Sequence, residues 1–150
     1  LSIGYIVLAY GGTALAVGLG ALAAWRGAFP ERLAAVIVLT GWFLTPLVKT
    51  TYRPGVPIFV LDFVIVVILC LISLNSRRAW SALITACAAA NLVTHFANLI
   101  APQGDKMVWA YVVTSDFIGG IFVALCLGCA AWESEVARRS NQKPNRTRPG

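Results

Sequence analysis

The sequence predicts an all-α integral membrane protein: five transmembrane helices packed as a bundle, with the N-terminus outside and the C-terminus in the cytoplasm. Three observations carry this. Of the 150 residues, 59% are hydrophobic and only 12% charged, with a mean hydropathy of +0.78, whereas a soluble domain is about one-quarter charged. The apolar residues gather into five long runs separated by short polar turns. Nine of the twelve lysines and arginines fall on one side of the membrane if every run crosses it. A soluble chain this small has too little interior to bury so much apolar surface, and a bilayer supplies what is missing.

The runs are Ile3–Trp25, Leu33–Val48, Val56–Leu74, Ala79–Ile100 and Val108–Trp132. A helix needs about 20 apolar residues to cross the hydrocarbon layer. The first, third, fourth and fifth runs have them. The second is shorter, with Thr45-Pro46 near its end, so it reads as a span or as a re-entrant segment; the loop charges favour the span. The first run resembles a signal peptide in carrying Ala21-Leu22-Ala23, but no basic residue precedes it and its apolar stretch exceeds a usual signal core. It is read as a retained span. Residues 133–139 continue the last helix with charged residues. Residues 141–150, without an apolar face, predict a tail that is disordered on its own. The domains are thus 1–132, embedded, and 133–150, a basic cytoplasmic tail.

The charges set the orientation. Arg26, Arg32, Arg77, Arg78, Arg138, Arg139, Lys143, Arg146 and Arg148 share one side and Lys49, Arg53 and Lys106 the other, which marks the first side as cytoplasmic. The net charge of +6 therefore reads as membrane topology and not as a nucleic-acid surface. Arg138, Arg139, Arg146 and Arg148 are candidates for contact with anionic lipid or an acidic partner. Trp25, Trp80 and Trp132 are placed at the inner interface, and Tyr5, Tyr52, Trp109 and Tyr111 near the outer one, where an amphipathic ring is at home.

Three ionisable residues lie inside the runs: Asp62, His95 and Asp116. Such groups are costly in lipid and face a protein interior or a hydrated cavity. At ~1.5 Å per residue, Asp62 and His95 fall about 7–8 Å, and Asp116 about 12 Å, below the outer ends of their spans. Asn91 and Asn98 share the helix face of His95 at i−4 and i+3, and Gly119-Gly120 lets a neighbouring helix approach Asp116. Two readings stand. One is a ligand pocket opening outward, built from Asp62, His95, Asp116, Asn91 and Asn98, for a proton, a cation or a polar solute. The other is a set of interhelical hydrogen bonds that holds the bundle together. No metal site is predicted, since one histidine with no second ligand at i+3 or i+4 is a weak set. No cofactor is specified.

Cys70, Cys87, Cys126 and Cys129 all lie in apolar runs and read as small buried hydrophobes, with Cys126 and Cys129 on one helix face. Stripes of small residues, Ala16/Gly20/Ala24, Ala82/Ala86/Ala90 and Gly120/Ala124/Gly128, suit close helix packing, within the chain or against a partner. The sequence holds no phosphate loop, nucleophile elbow or zinc-protease motif, and the protein is expected not to be an enzyme.

Gly27-Ala28-Phe29-Pro30-Glu31-Arg32-Leu33-Ala34, Asp62, Ser76-Arg77-Arg78-Ala79-Trp80 and Thr94-His95 resemble motifs of a group of small uncharacterised proteobacterial polytopic inner-membrane proteins, over roughly residues 26–132. That resemblance implies the bacterial inner membrane and no known activity. The expected function is a non-catalytic accessory or assembly subunit of a larger bacterial inner-membrane complex, an energy-transducing one included, with other membrane subunits and the bilayer as partners. The alternative is a small carrier or sensor using the polar pocket.

Overall fold

A computed structural model describes residues 3–51, 56–100, 110–111 and 113–141. Among them every regular element is helical: α1 (Ile3–Arg26), α2 (Phe29–Thr51), α3 (Val56–Ser76), α4 (Ala79–Ile100), a π-helical segment (Asp116–Phe122) and α5 (Val123–Asn141) that continues it. Helix is the expected outcome even for the Val/Ile-rich α3, because backbone polar groups surrounded by lipid must be satisfied within their own segment.

Three helical stretches are long and apolar enough to cross a membrane: Val56–Ser76, Ala79–Ala97 and Val113–Asn141. The second run, with its ambiguous length, lies in one continuous 23-residue helix with no break at Pro46. Proline at 46 removes the N–H that Trp42 O would receive. Next to that gap the Thr45 hydroxyl donates to Gly41 O at 2.8 Å. The charged stretch after Trp132 is helical as far as Asn141.

The helices form a ring in chain order. α1 packs on α2, α2 on α3, α3 on α4, α4 on α5, and α5 returns to α1. Successive members run antiparallel, so α1 and α5, first and last of an odd number, lie side by side in the same direction. Small residues make that closure possible. Gly128 lies against Leu19, where an added Cβ would meet the leucine methyls at 3.3 Å, and one added to Gly20 would lie 2.9 Å from Leu39 on α2. Two of the small-residue stripes are therefore spent inside the bundle. Ala82, Ala86 and Ala90 of α4 face outward and are exposed.

Between the tight turns, α3 shows how the chain divides its faces. Ile58, Leu69 and Ile72 are buried, while Val60, Phe63, Val64, Val67, Leu71 and Leu74 are exposed. Both faces are apolar, and the helical period separates protein-facing from lipid-facing positions.

One end of the ring is stitched by arginines. Arg78, in the α3–α4 turn, pairs with Glu31 at the start of α2. Arg32 Nε donates to Gly27 O at 2.7 Å, and Arg138 of α5 donates to Arg26 O at 2.7 Å. These bonds gather the α1–α2 turn, the α3–α4 turn and the end of α5 at one level. Gly27 has no substitute in this turn, because a Cβ there would lie 2.4 Å from Ala23 O and 2.6 Å from the Glu31 Cβ. Lys143, Arg146 and Arg148 lie outside the described residues.

Two expectations are revised here. Trp25 and Trp132 are 83% and 74% exposed, fitting an interface, but Trp80 is 3% exposed and sits in the core. It stands two residues after Arg78, at the start of α4, on the face shared with the buried Ile84. Glu31, in the first turn of α2, is fully buried as a partner for Arg78. Cys126 is buried while Cys129 is exposed, because Cys126 stands at the edge of the buried sector made by Val123, Ala124, Leu127, Ala130 and Ala131 and Cys129, about 60° further round the helix, falls outside it.

Candidate functional site

Inside the ring the side chains of the other end meet. Asp62 projects from α3, and Asn91 and His95 from α4, one turn apart. His95 Nε2 lies 2.7 Å from Asp62 Oδ2. Asn91 Nδ2 donates to the same oxygen at 3.1 Å and lies 3.2 Å from His95 Nε2. The other ring nitrogen, Nδ1, is 2.5 Å from the Tyr111 hydroxyl, with the two rings edge-on at 69°. Ser115 Oγ donates to Asn91 Oδ1 at 2.9 Å.

This geometry fixes donors and acceptors. The Asp62 oxygen receives two hydrogen bonds, so the Nε2–H of His95 points at it and Asn91 Nδ2–H comes alongside. With the proton on Nε2, Nδ1 is an acceptor and the Tyr111 O–H donates to it. Protonating the imidazole reverses only the last bond: Nδ1–H then donates to the tyrosine oxygen. The arrangement therefore holds a proton on either side of the ring without moving a heavy atom.

The π-helical segment positions the remaining wall. It begins at Asp116, directly after Ser115, and its wider winding carries Gly119 and Gly120 against their neighbours. An added Cβ on Gly119 would lie 2.8 Å from Asn91 Cγ, and one on Gly120 would lie 2.9 Å from Trp42 Cζ2. The missing side chains are what allow Asn91 and Trp42 in. Trp42 Nε1 also donates to Gly119 O at 3.4 Å; a carbonyl in a π turn is well placed to accept from outside the helix.

These residues surround a cavity of about 400 Å³, within the range of small-molecule sites. All five helices contribute: Thr13 and Val17 from α1, Trp42 and Thr45 from α2, Asp62 and Leu69 from α3, Asn91 and His95 from α4, and Ser115, Asp116 and Val123 from the last helical stretch. Of the candidates from sequence, Asp62, Asn91 and His95 are brought into direct contact. Asp116 lines the same cavity and is exposed. The Asn98 side chain lies outside the described residues. Arg138 and Arg139 are exposed at the arginine end, far along the bundle from this cavity, and both engage Glu135. Among the described residues no group of three metal-ligating side chains is present.

Tyr111, Ser115 and Trp42 were not among the site candidates from sequence. Tyr111 carried the signal of an interface aromatic, and Ser115 stood only as a neighbour of Asp116. Trp42 gave no signal in an apolar run. Comparison with protein-family models, with curated proteins and with solved structures finds no match.

Proposed function

We propose that this chain is a small membrane carrier or sensor whose central cavity binds a cation, proton or polar solute through Asp62, His95 and their neighbours. The observation that carries the reading is the convergence of Asp62, Asn91, His95 and Tyr111 on one cavity of about 400 Å³. Bonds serving only to clamp helices do not need an open volume beside them. No catalytic role is proposed. On this reading the arginine end lies in the cytoplasm and the cavity in the outer half of a bacterial inner membrane; the basic turns and the proteobacterial resemblance of the turn motifs support it.

The test compares abundance with activity. Asp62→Asn and His95→Ala are expected to accumulate in membranes at wild-type levels, measured by quantitative immunoblot, and to lose ligand binding by the purified protein. If both variants only lower abundance, the network is a structural clamp and the reading fails.

A second reading, the non-catalytic accessory subunit, is favoured by the outward-facing Ala82/Ala86/Ala90 stripe on α4, since small residues on a lipid-facing surface suit close approach of another helix. It predicts a polypeptide partner that stays bound through purification in mild detergent and dissociates on Ala86→Leu.

A further inference from the structure

The cavity is sorted along the bundle axis. Asp62, Asn91, His95, Ser115 and Asp116 line one end of it, and Val38, Leu69, Ala88 and Val123 line the other. Leu69 follows Asp62 by seven residues, and Ala88 precedes His95 by seven, on antiparallel neighbours. The polar and apolar ends are therefore about 10 Å apart on both α3 and α4. A bare ion or a fully polar solute does not need the apolar half.

The charge of the polar end is also one-sided. It carries two carboxyl groups and one imidazole, and among the described residues no lysine or arginine lines it; the Lys49 side chain lies outside them. Asp62 already receives bonds from His95 and Asn91. Asp116 is exposed on the same wall. The Trp42 indole, anchored at Gly119 and Gly120, adds an aromatic surface of the kind that attracts organic cations.

We infer that the ligand is an amphiphilic organic ammonium, its cationic head between Asp116 and the Asp62–His95 pair beside Trp42, and its hydrocarbon part along Leu69, Ala88 and Val123. This rests on the reading of the cavity as a binding site and adds the ligand's charge and polarity. A unit charge a few ångströms from a carboxylate at an intermediate dielectric gives an expected preference of roughly tenfold or more over a neutral isostere.

Three matched probes test it on the purified full-length protein in detergent: 2-phenylethylammonium, 2-phenylethanol and phenylacetate, titrated against tryptophan fluorescence. The expected result is saturable binding of the ammonium roughly tenfold or more tighter than the alcohol, with no saturable binding of the anion. Asp116→Asn is expected to weaken the ammonium more than the alcohol and so to narrow that gap. Equal affinity of alcohol and ammonium, or tighter binding of phenylacetate, overturns the ammonium assignment and leaves the cavity as a site of another class. No saturable binding of any probe overturns the assignment together with the binding reading. The comparison of probes on wild-type protein holds even if the variant does not fold.

Discussion

Replacing Gly119 with alanine isolates the contact on which the site's geometry depends. In an ordinary helix this change is favourable by about 1 kcal/mol, because glycine loses more backbone freedom on folding. Here the new Cβ would lie 2.8 Å from Asn91 Cγ, against at least 3.4 Å for ordinary contact, so Asn91 must retreat by 0.6 Å (3.4 minus 2.8). Asn91 donates to Asp62 at 3.1 Å and accepts from Ser115 at 2.9 Å, and a displacement of that size takes both bonds to the edge of useful length. Interhelical hydrogen bonds in membrane bundles contribute about 0.6 to 1.7 kcal/mol each. Losing two costs about 1–3 kcal/mol, which exceeds the helix-propensity gain over most of that range. Gly18 is the control, because a Cβ there meets nothing within 4 Å. Gly18→Ala is expected to be neutral or more stable, and Gly119→Ala less stable than wild type by about 1–2 kcal/mol, in reversible unfolding by SDS in mixed micelles. Combining Gly119→Ala with Asn91→Ala removes the opposing side chain, so the double variant is expected to be less damaged than the sum of the two singles. A Gly119→Ala protein as stable as Gly18→Ala would refute the close approach of the π-helical segment to α4.

Arg78→Ala leaves the fully buried Glu31 carboxylate without its partner and is expected to cost about 3–5 kcal/mol in the same unfolding assay; adding Glu31→Leu is expected to recover part of it. Arg77 has φ 51°, a left-handed conformation that costs a non-glycine residue roughly 1 kcal/mol, so Arg77→Gly is expected to raise stability by about that amount. Tyr111→Phe removes the hydroxyl at His95 Nδ1 and keeps the ring. It is expected to move the chemical shifts of the His95 ring in histidine NMR spectra, with little loss of folded protein; unchanged ring signals would mean that the 2.5 Å contact does not hold the two groups together.

The helices were legible in the residues because lipid imposes the same solution on every apolar run of sufficient length. The runs 56–74 and 79–100 correspond to α3 at 56–76 and α4 at 79–100 because turn residues bound them on both sides. Part of the site was legible as well: Asp62, Asn91 and His95 stood out as polar groups in apolar surroundings at similar depth. Trp42 did not, since an indole in an apolar run looks the same whether it meets lipid, the core or a cavity. Nor did the π-helical winding of Asp116–Phe122, which follows no side-chain period and depends on what Gly119 and Gly120 meet across the bundle. The burial of Trp80 was not legible for a related reason. It sits near a turn, where a residue close to water is either interfacial or buried, and the packing of the turns decides which.

Composition, run length and loop charge are properties of single segments, and they were enough to yield an all-helical chain with membrane-spanning stretches and to put Asp62 and His95 at a common level along their helices. The order of the helices around the ring, the cavity at its centre and the sorting of polar from apolar lining belong to pairs of segments. They rest on which faces meet, and in a bundle whose helices are apolar on every side hydrophobic pattern alone does not choose those faces. The choice falls to small-residue contacts such as Gly20 on Leu39 and Gly119 on Asn91, and to hydrogen bonds that close only when both partners are in place.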